Sequence, residues 1–308
     1  MATLLSSLLA VFMVIMTGFA ARQFKLVDDA SWRGFEAVAY HILIPALVIH
    51  TLAFAKLGGL PVLAVGGSLV IGALLMTALL LGLRPLLGRA GVDGPAFTSV
   101  YQGAVRWQTF IALAVASQQF GQEGIALMAV VIASLIPLVN VMSVLILSRY
   151  ARGEAFNARQ TILTLIRNPF IWSCAVGIML NPFASMIPKA VGSFVDITGR
   201  GALAAGLLVA GAGLELSRLA KPKLPHLLAV GCKLILMPAI VYLAARLFGL
   251  TGTPLSVALI AATVPTAAAS YILARQMGGD APLMAEIATL QTLGAMITMP
   301  LILLTLVM

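Results

Sequence analysis

Residues 101–118 read YQGAVRWQTFIALAVASQ, and one cation, Arg106, stands inside an otherwise apolar run that extends from Pro95 to Gln118. At about 1.5 Å of rise per residue, its side chain lies about 15 Å from either end of that run, at the mid-depth of a bilayer. A charge there costs about 2.5–3.5 kcal/mol on insertion scales, and a residue kept at that cost faces a bundle interior or a watery cavity rather than lipid. The stretch therefore asks for two things, a bilayer around it and a polar site within it.

Composition supplies the first. Of the 308 residues 61% are hydrophobic and 9% charged, with a mean hydropathy of +1.07, values that no water-soluble surface accommodates. Apolar runs of spanning length fall at about 3–20, 35–54, 61–82, 95–118, 124–148, 169–187, 194–215, 225–248, 254–276 and 282–307, which predicts ten transmembrane helices. The first run differs from a signal peptide because its positive charges, Arg22 and Lys25, follow the apolar core instead of preceding it.

Basic residues set the orientation. Arg22, Lys25, Arg33, Arg84, Arg89, Arg149, Arg152, Arg159, Arg167, Arg218, Lys221, Lys223 and Arg275 fall on one side, whereas Lys56, Lys189 and Arg246 fall on the other; Arg106, Arg200 and Lys233 lie inside spans. The positive-inside rule makes the first side cytoplasmic and places both termini outside, in an inner or plasma membrane. Topology thus accounts for the net charge of +9, and a nucleic-acid partner is excluded.

The longest connection, 149–168 with the stretch RYARGEAFNARQ, divides the chain into a first five-helix repeat, 1–148, and a second, 169–308. LAVGGSL at Leu63 is echoed by LAVGCKL at Leu228, GPAF at Gly94 by TPLS at Thr253, and EGIALMAVVIA at Glu123 by APLMAEIATLQ at Ala281. Because each repeat has an odd number of spans, the second enters the membrane in the opposite direction, giving a 5+5 inverted repeat. Such repeats in secondary transporters present two discontinuous, crossed helices near the midplane. Helices 4 and 9 are the candidates: at the offset joining Gly94 to Thr253, Arg106 falls opposite Pro265 in IAATVPTAAAS. Proline removes a backbone donor, and the small residues after it allow close approach. Gly103 with Arg106, Gln108 and Thr109 marks the corresponding break in helix 4.

The pattern QGAVRWQTFIALA (102–114), then GQEGIALMAVVIASLIP (121–137) and ATVPTAAASYILARQMGGDAPLMAEIATLQT (262–292), resembles the auxin efflux carrier family, particularly its bacterial members. The resemblance covers essentially the whole chain. It implies an all-α integral membrane fold like that of the bile-acid and sodium–proton antiporter group, with a scaffold of spans 1, 2, 6 and 7 and a mobile part of spans 3–5 and 8–10 that moves as an elevator. It also implies transport of a small organic anion. Many members carry an Asn-Thr-Gly-like step in helix 4, where this chain has Gln108-Thr109-Phe110.

The expected substrate-binding residues are Arg106, Gln108, Thr109, Pro265, Thr266, Ser270 and Lys233. Arg106 either holds a substrate carboxylate with these hydroxyl and amide donors, or caps carbonyls freed by a broken helix in place of a sodium ion. Lys233 either adds a second charge for a dicarboxylate or serves the same structural purpose. Arg200 reads as the partner of Asp196 one turn earlier, and Tyr101, Trp107 and Tyr271 as packing or contacts to an aromatic ligand. Pro45, Gly211 and Gly213 suit helix packing, including the pairing of two protomers in a homodimer. The spans carry no nucleophile–base pair, paired aspartates or HExxH motif, and Cys174, Cys232 and the three histidines lack metal-ligand spacing. No enzymatic activity, metal or cofactor is expected. The alternative to a carrier is a transporter-like membrane sensor that binds ligand without moving it.

Overall fold

The structure is a computed structural model, which describes residues 2–55, 61–151, 159, 163, 169–216, 222–267 and 269–306. Most of the 149–168 connection lies outside the described residues, as do Lys56, Arg152, Arg167, Arg218, Lys221 and Ala268. Among the described residues the secondary structure is entirely helical. Among the described residues, seven segments are long and apolar enough to cross a membrane: Asp29–Phe54, Val62–Arg89, Gly94–Tyr150, Pro169–Met186, Lys189–Ala212, Leu224–Leu247 and Ala281–Leu306. Shorter apolar helices occupy Leu8–Gln23 and Gly252–Thr263.

Aspartates open several helices by accepting the amides that a first turn leaves unpaired. Asp28 accepts from Ser31 N at 2.6 Å before α2 (Asp29–Val38), a bond that holds its carboxyl below the ordinary range. That contribution is present at neutral pH and lost as pH falls through the lowered pKa. Asp93 accepts from Ala96 N before α5 (Gly94–Val105), and Asp280 accepts from Leu283 N before α14 (Ala281–Leu306). The last two share the pattern Asp-X-Pro, with proline in the first turn, where its missing N–H costs nothing.

Proline acts differently inside a span. Helix α3 (Ile44–Phe54) is preceded by a π turn, Ala39–Leu43, and α11 (Met237–Leu247) by another, Cys232–Leu236. Each π turn ends just before an X-Pro step, Ile44-Pro45 or Met237-Pro238. Proline cannot bond the carbonyl four residues back and its ring crowds it, and widening the turn relieves that crowding.

The chain forms two compact units, and each draws on both halves of the sequence. The first comprises Met1–Val62, Thr109–Ala133 and Leu163–Gly213. In it α1 (Ala2–Gln23) lies along α9 (Ala202–Ala212), and α3 along α7 (Pro169–Leu180) and α8 (Lys189–Arg200). Small residues set these contacts, as a Cβ on Gly211 would collide with Ile15 O, and one on Gly177 would lie 2.8 Å from Leu52 Cβ. Arg22 donates to Ala212 O at 2.7 Å and pairs with Asp29, closing the C-terminal end of α9. Asn181 closes α3 through bonds to the carbonyls of Leu52, Ala53 and Ala55.

The resemblance assigns spans 1, 2, 6 and 7 to a scaffold; the first unit contains those segments and adds Thr109–Ala133. Phe110 explains part of this, because it is buried, lies tilted against Phe170 with ring centres 6.3 Å apart, and fills the space above Gly206, where a Cβ would meet its ring. Cys174, donating to Ala129 O, adds a second link.

The second unit comprises Leu63–Gln108, Ser134–Ile162 and Leu214–Met308. Helix α5 packs against α10 (Leu224–Gly231) and α14, and α11 against α12 (Gly252–Thr263). Gly72 of α4 (Val62–Arg89) lets that helix press on Val241. At one end of the unit, Arg84 lies over the rings of Phe97 and Tyr150, and Ser99 donates to Asp280 O at 2.8 Å.

Glycines in contact and glycines in open space should respond oppositely to a methyl group. Gly211→Ala is expected to lower the melting temperature of the purified protein strongly, because backbone blocks the new atom. Gly231→Ala, with nothing within 4 Å, should raise it slightly, by up to about 1 kcal/mol of helix propensity. Thermal melting of both variants in the same detergent checks this.

Candidate functional site

In the second unit two helices stop within the apolar region. Helix α5 ends at Val105, and residues 106–108 are extended, with φ −73° and ψ 162° at Arg106; α12 ends at Thr263 and helical structure resumes at α13 (Ala269–Gln276). The two interruptions face each other, since Gln108 N donates to Pro265 O at 2.8 Å. Interrupted backbone leaves amides and carbonyls without intrahelical partners, and at membrane depth each unsatisfied group costs several kcal/mol.

One side chain meets part of that deficit. Gln291 of α14, 0% exposed, accepts from Thr266 N at 2.9 Å and donates to Gly103 O at 3.0 Å and Ala229 O at 2.9 Å. It thereby ties the α12–α13 break to α5 and α10. Thr266 Oγ1 donates to Gln102 O at 3.1 Å and shares a hydrogen bond with Ser270 Oγ at 3.3 Å. Arg106 is buried, and its backbone N–H donates to the same Gln102 carbonyl.

Of the residues expected at the site, the second unit contains Arg106, Gln108, Pro265, Thr266, Ser270 and Lys233, all buried. Hydrogen bonds join Gln108 to Pro265 and Thr266 to Ser270. Lys233, 1% exposed, sits in the π turn that packs against α5, α12 and α14. Thr109 follows the break directly but opens α6 (Thr109–Tyr150) in the first unit. Gly103 corrects the expectation that it marks the break. It is helical, three residues before Arg106, and its role is close approach: a Cβ there would lie 2.8 Å from Ile287 and 3.2 Å from Ala229 Cβ. Tyr101 is committed to packing, fully buried and bonded to Thr77 at 3.1 Å.

Three features escaped the sequence reading. The first is Gln291. The second is the side-chain amide of Gln102, 0% exposed, whose nitrogen and oxygen are both buried beside the break with no hydrogen-bond partner among the described residues, a state a buried polar group rarely holds without a function. The third is His226, whose Nδ1 accepts from Lys223 N at 3.1 Å. Its proton is therefore on Nε2, which donates to Glu286 at 2.6 Å, so the carboxylate of α14 has a fixed partner. Among the described residues, no group of three or more His, Cys, Asp or Glu is placed to hold a metal ion.

An all-helical chain with several membrane-spanning segments and a buried polar site at facing helix breaks is built as a multi-pass membrane protein. A family model described as membrane transport protein matches residues 3–303, and the chain belongs to that family, the auxin efflux carriers. It is a family of membrane transporters and not of enzymes. No curated protein matches the chain.

Replacing Gln291 by Leu should leave Thr266 N and Gly103 O short of a partner, at about 1–3 kcal/mol for each group left unsatisfied, while Ala229 O keeps the backbone amide of Cys232. Thermal melting is expected to show a loss of several degrees or more, with Gln291→Glu, which keeps the acceptor for Thr266 N, falling between that variant and the parent.

Proposed function

We propose that this protein is a secondary transporter of a small organic anion, a carboxylate, working by elevator-type alternating access. The observation that carries the reading is the pair of facing breaks joined by Gln108 N and Pro265 O, with the buried Arg106 at one of them and the unpartnered Gln102 amide beside it. Arg106 supplies the charge, and Gln108, Thr109, Thr266 and Ser270 supply hydrogen-bonding groups around a carboxylate. Lys233 serves as a second cation when the substrate carries two carboxylates.

The proposal includes ten spans in two inverted repeats. Gly94–Tyr150 is 57 residues long, about 85 Å as a helix and far more than one crossing of about 30 Å requires. It divides naturally at Gly121, whose φ of 55° and ψ of −134° break α6. Counting α1 and the α12–α13 segment with the seven long segments, and dividing that one, gives ten. The contacts of Arg22 with Ala212 and of Ser99 with Asp280 join segment ends that the positive-inside reading puts on the cytoplasmic side.

Arg106→Gln is expected to fold, by melting temperature and gel filtration, and to bind the substrate at least about tenfold more weakly, equal to 1.4 kcal/mol. Unchanged affinity would assign Arg106 to capping the broken helix instead. Lys233→Met should discriminate further, weakening dicarboxylates while sparing monocarboxylates.

A further inference from the structure

We propose that the first unit contains a second binding site, for a small zwitterion carrying a carboxylate and an ammonium group, in a cavity walled by Asp196 and Arg200. The cavity has a volume of about 350 Å³, and its polar wall consists of His50, Ser117, Gln122, Asp196 and Arg200. That is near the lower end of small-molecule sites, about 300–1,000 Å³.

Depth is the first argument. Lys189–Ala212 is a candidate span of 24 residues, and Arg200 stands at its middle. Yet its side chain is 75% exposed and that of Asp196 29%. Charges at mid-span persist where they border water or one another; this pair does the second, and the cavity it walls leaves room for water or a ligand on the rest of both side chains.

The bonding pattern is the second. Both Nε and Nη2 of Arg200 donate to a single oxygen, Asp196 Oδ2. Asp196 Oδ1 stands 3.9 Å from His50 Nδ1, beyond hydrogen-bond distance. Among the described residues Arg200 Nη1 and Asp196 Oδ1 make no hydrogen bond, Oδ1 having only its longer contact with His50, so a ligand can use them, one as donor and the other as acceptor. A simple carboxylate meets the repulsion of Asp196 and a simple amine that of Arg200. A molecule with both charges a few bonds apart satisfies both, its carboxylate on Arg200 and its ammonium on Asp196. Gln122 accepts from Thr51 Oγ1 at 3.4 Å through Oε1, which presents its amide nitrogen as a further donor.

The walls are also held in place. Gly199 lies between the two charges, and a Cβ on it would stand 2.8 Å from the backbone N and Cα of Leu47; α8 is therefore seated directly on α3. The left-handed Gly121 breaks α6 between Ser117 and Gln122, turning both toward one cavity.

This site is independent of the role proposed for Arg106, and calorimetry on the protein in lipid nanodiscs tests it. The panel consists of small α-amino acids, the matching carboxylic acids without the amine, and the matching amines without the carboxylate. One or more amino acids should bind saturably, with the single-charge counterparts at least about tenfold weaker. Arg200→Gln and Asp196→Asn should each weaken that binding by a similar factor, whereas Arg106→Gln should leave it unchanged. Labelling of Ser117→Cys by a water-soluble thiol reagent gives a readout that leaves the ion pair intact, and the bound amino acid should slow it. The proposal is overturned if no amino acid binds the folded protein, if the single-charge counterparts bind equally well, if the ligand fails to protect Ser117→Cys, or if binding depends on Arg106 and not on Arg200 and Asp196.

Discussion

Backbone polar groups have no water to turn to at the depth of a bilayer, and that constraint organises the second unit. A helix that stops at Val105 and another that stops at Thr263 would be prohibitive unless the freed groups found protein partners. Gln108 N and Pro265 O satisfy each other across the breaks, and one amide side chain, Gln291, takes up Thr266 N and Gly103 O. A hydroxyl adds a further tie, from Thr266 to Gln102 O, beside the helical bond which that carbonyl already accepts from Arg106 N. The arrangement needs α5, α10 and α14 close together, which explains why Gly103 has no room for a side chain. Packing and polar satisfaction are thus one problem with one solution.

The first unit solves a different problem. Its helices meet through small residues, with Gly18 against Leu208, Gly177 against Leu52 and Gly199 against Leu47, because lipid chains are as apolar as leucine and close van der Waals contact must replace the hydrophobic drive between helices. Phe110 belongs to this economy of space. Its ring is buried, and Gly206 leaves the room that ring requires.

Much of this was legible in the sequence, and the remainder was hidden for physical reasons. Apolar runs and interspersed basic residues announce spans because the bilayer imposes a length and a polarity on each one. The breaks were visible at Arg106 and Pro265, since a cation and a proline are both anomalous in a span. Gln291 was not visible: at the sequence offset joining Glu123 to Ala281 it stands opposite Ala133, and a lone polar residue in an apolar helix gives no sign of which distant carbonyls it will reach. The His226–Glu286 pair is likewise formed by residues 60 apart in sequence. Asp196 and Arg200 were read correctly as an ion pair. That they border a cavity depends on the seating of α8 on α3, which no local pattern encodes.

The central claim is that the buried cation at the paired breaks serves an anion in transit. Its most direct test is charge movement in proteoliposomes on solid-supported membranes, as mono- and dicarboxylates and aromatic acids are flowed over the wild-type protein. The account predicts saturable currents for one class of anion. Silence across the panel, with the protein shown to be folded, would contradict it.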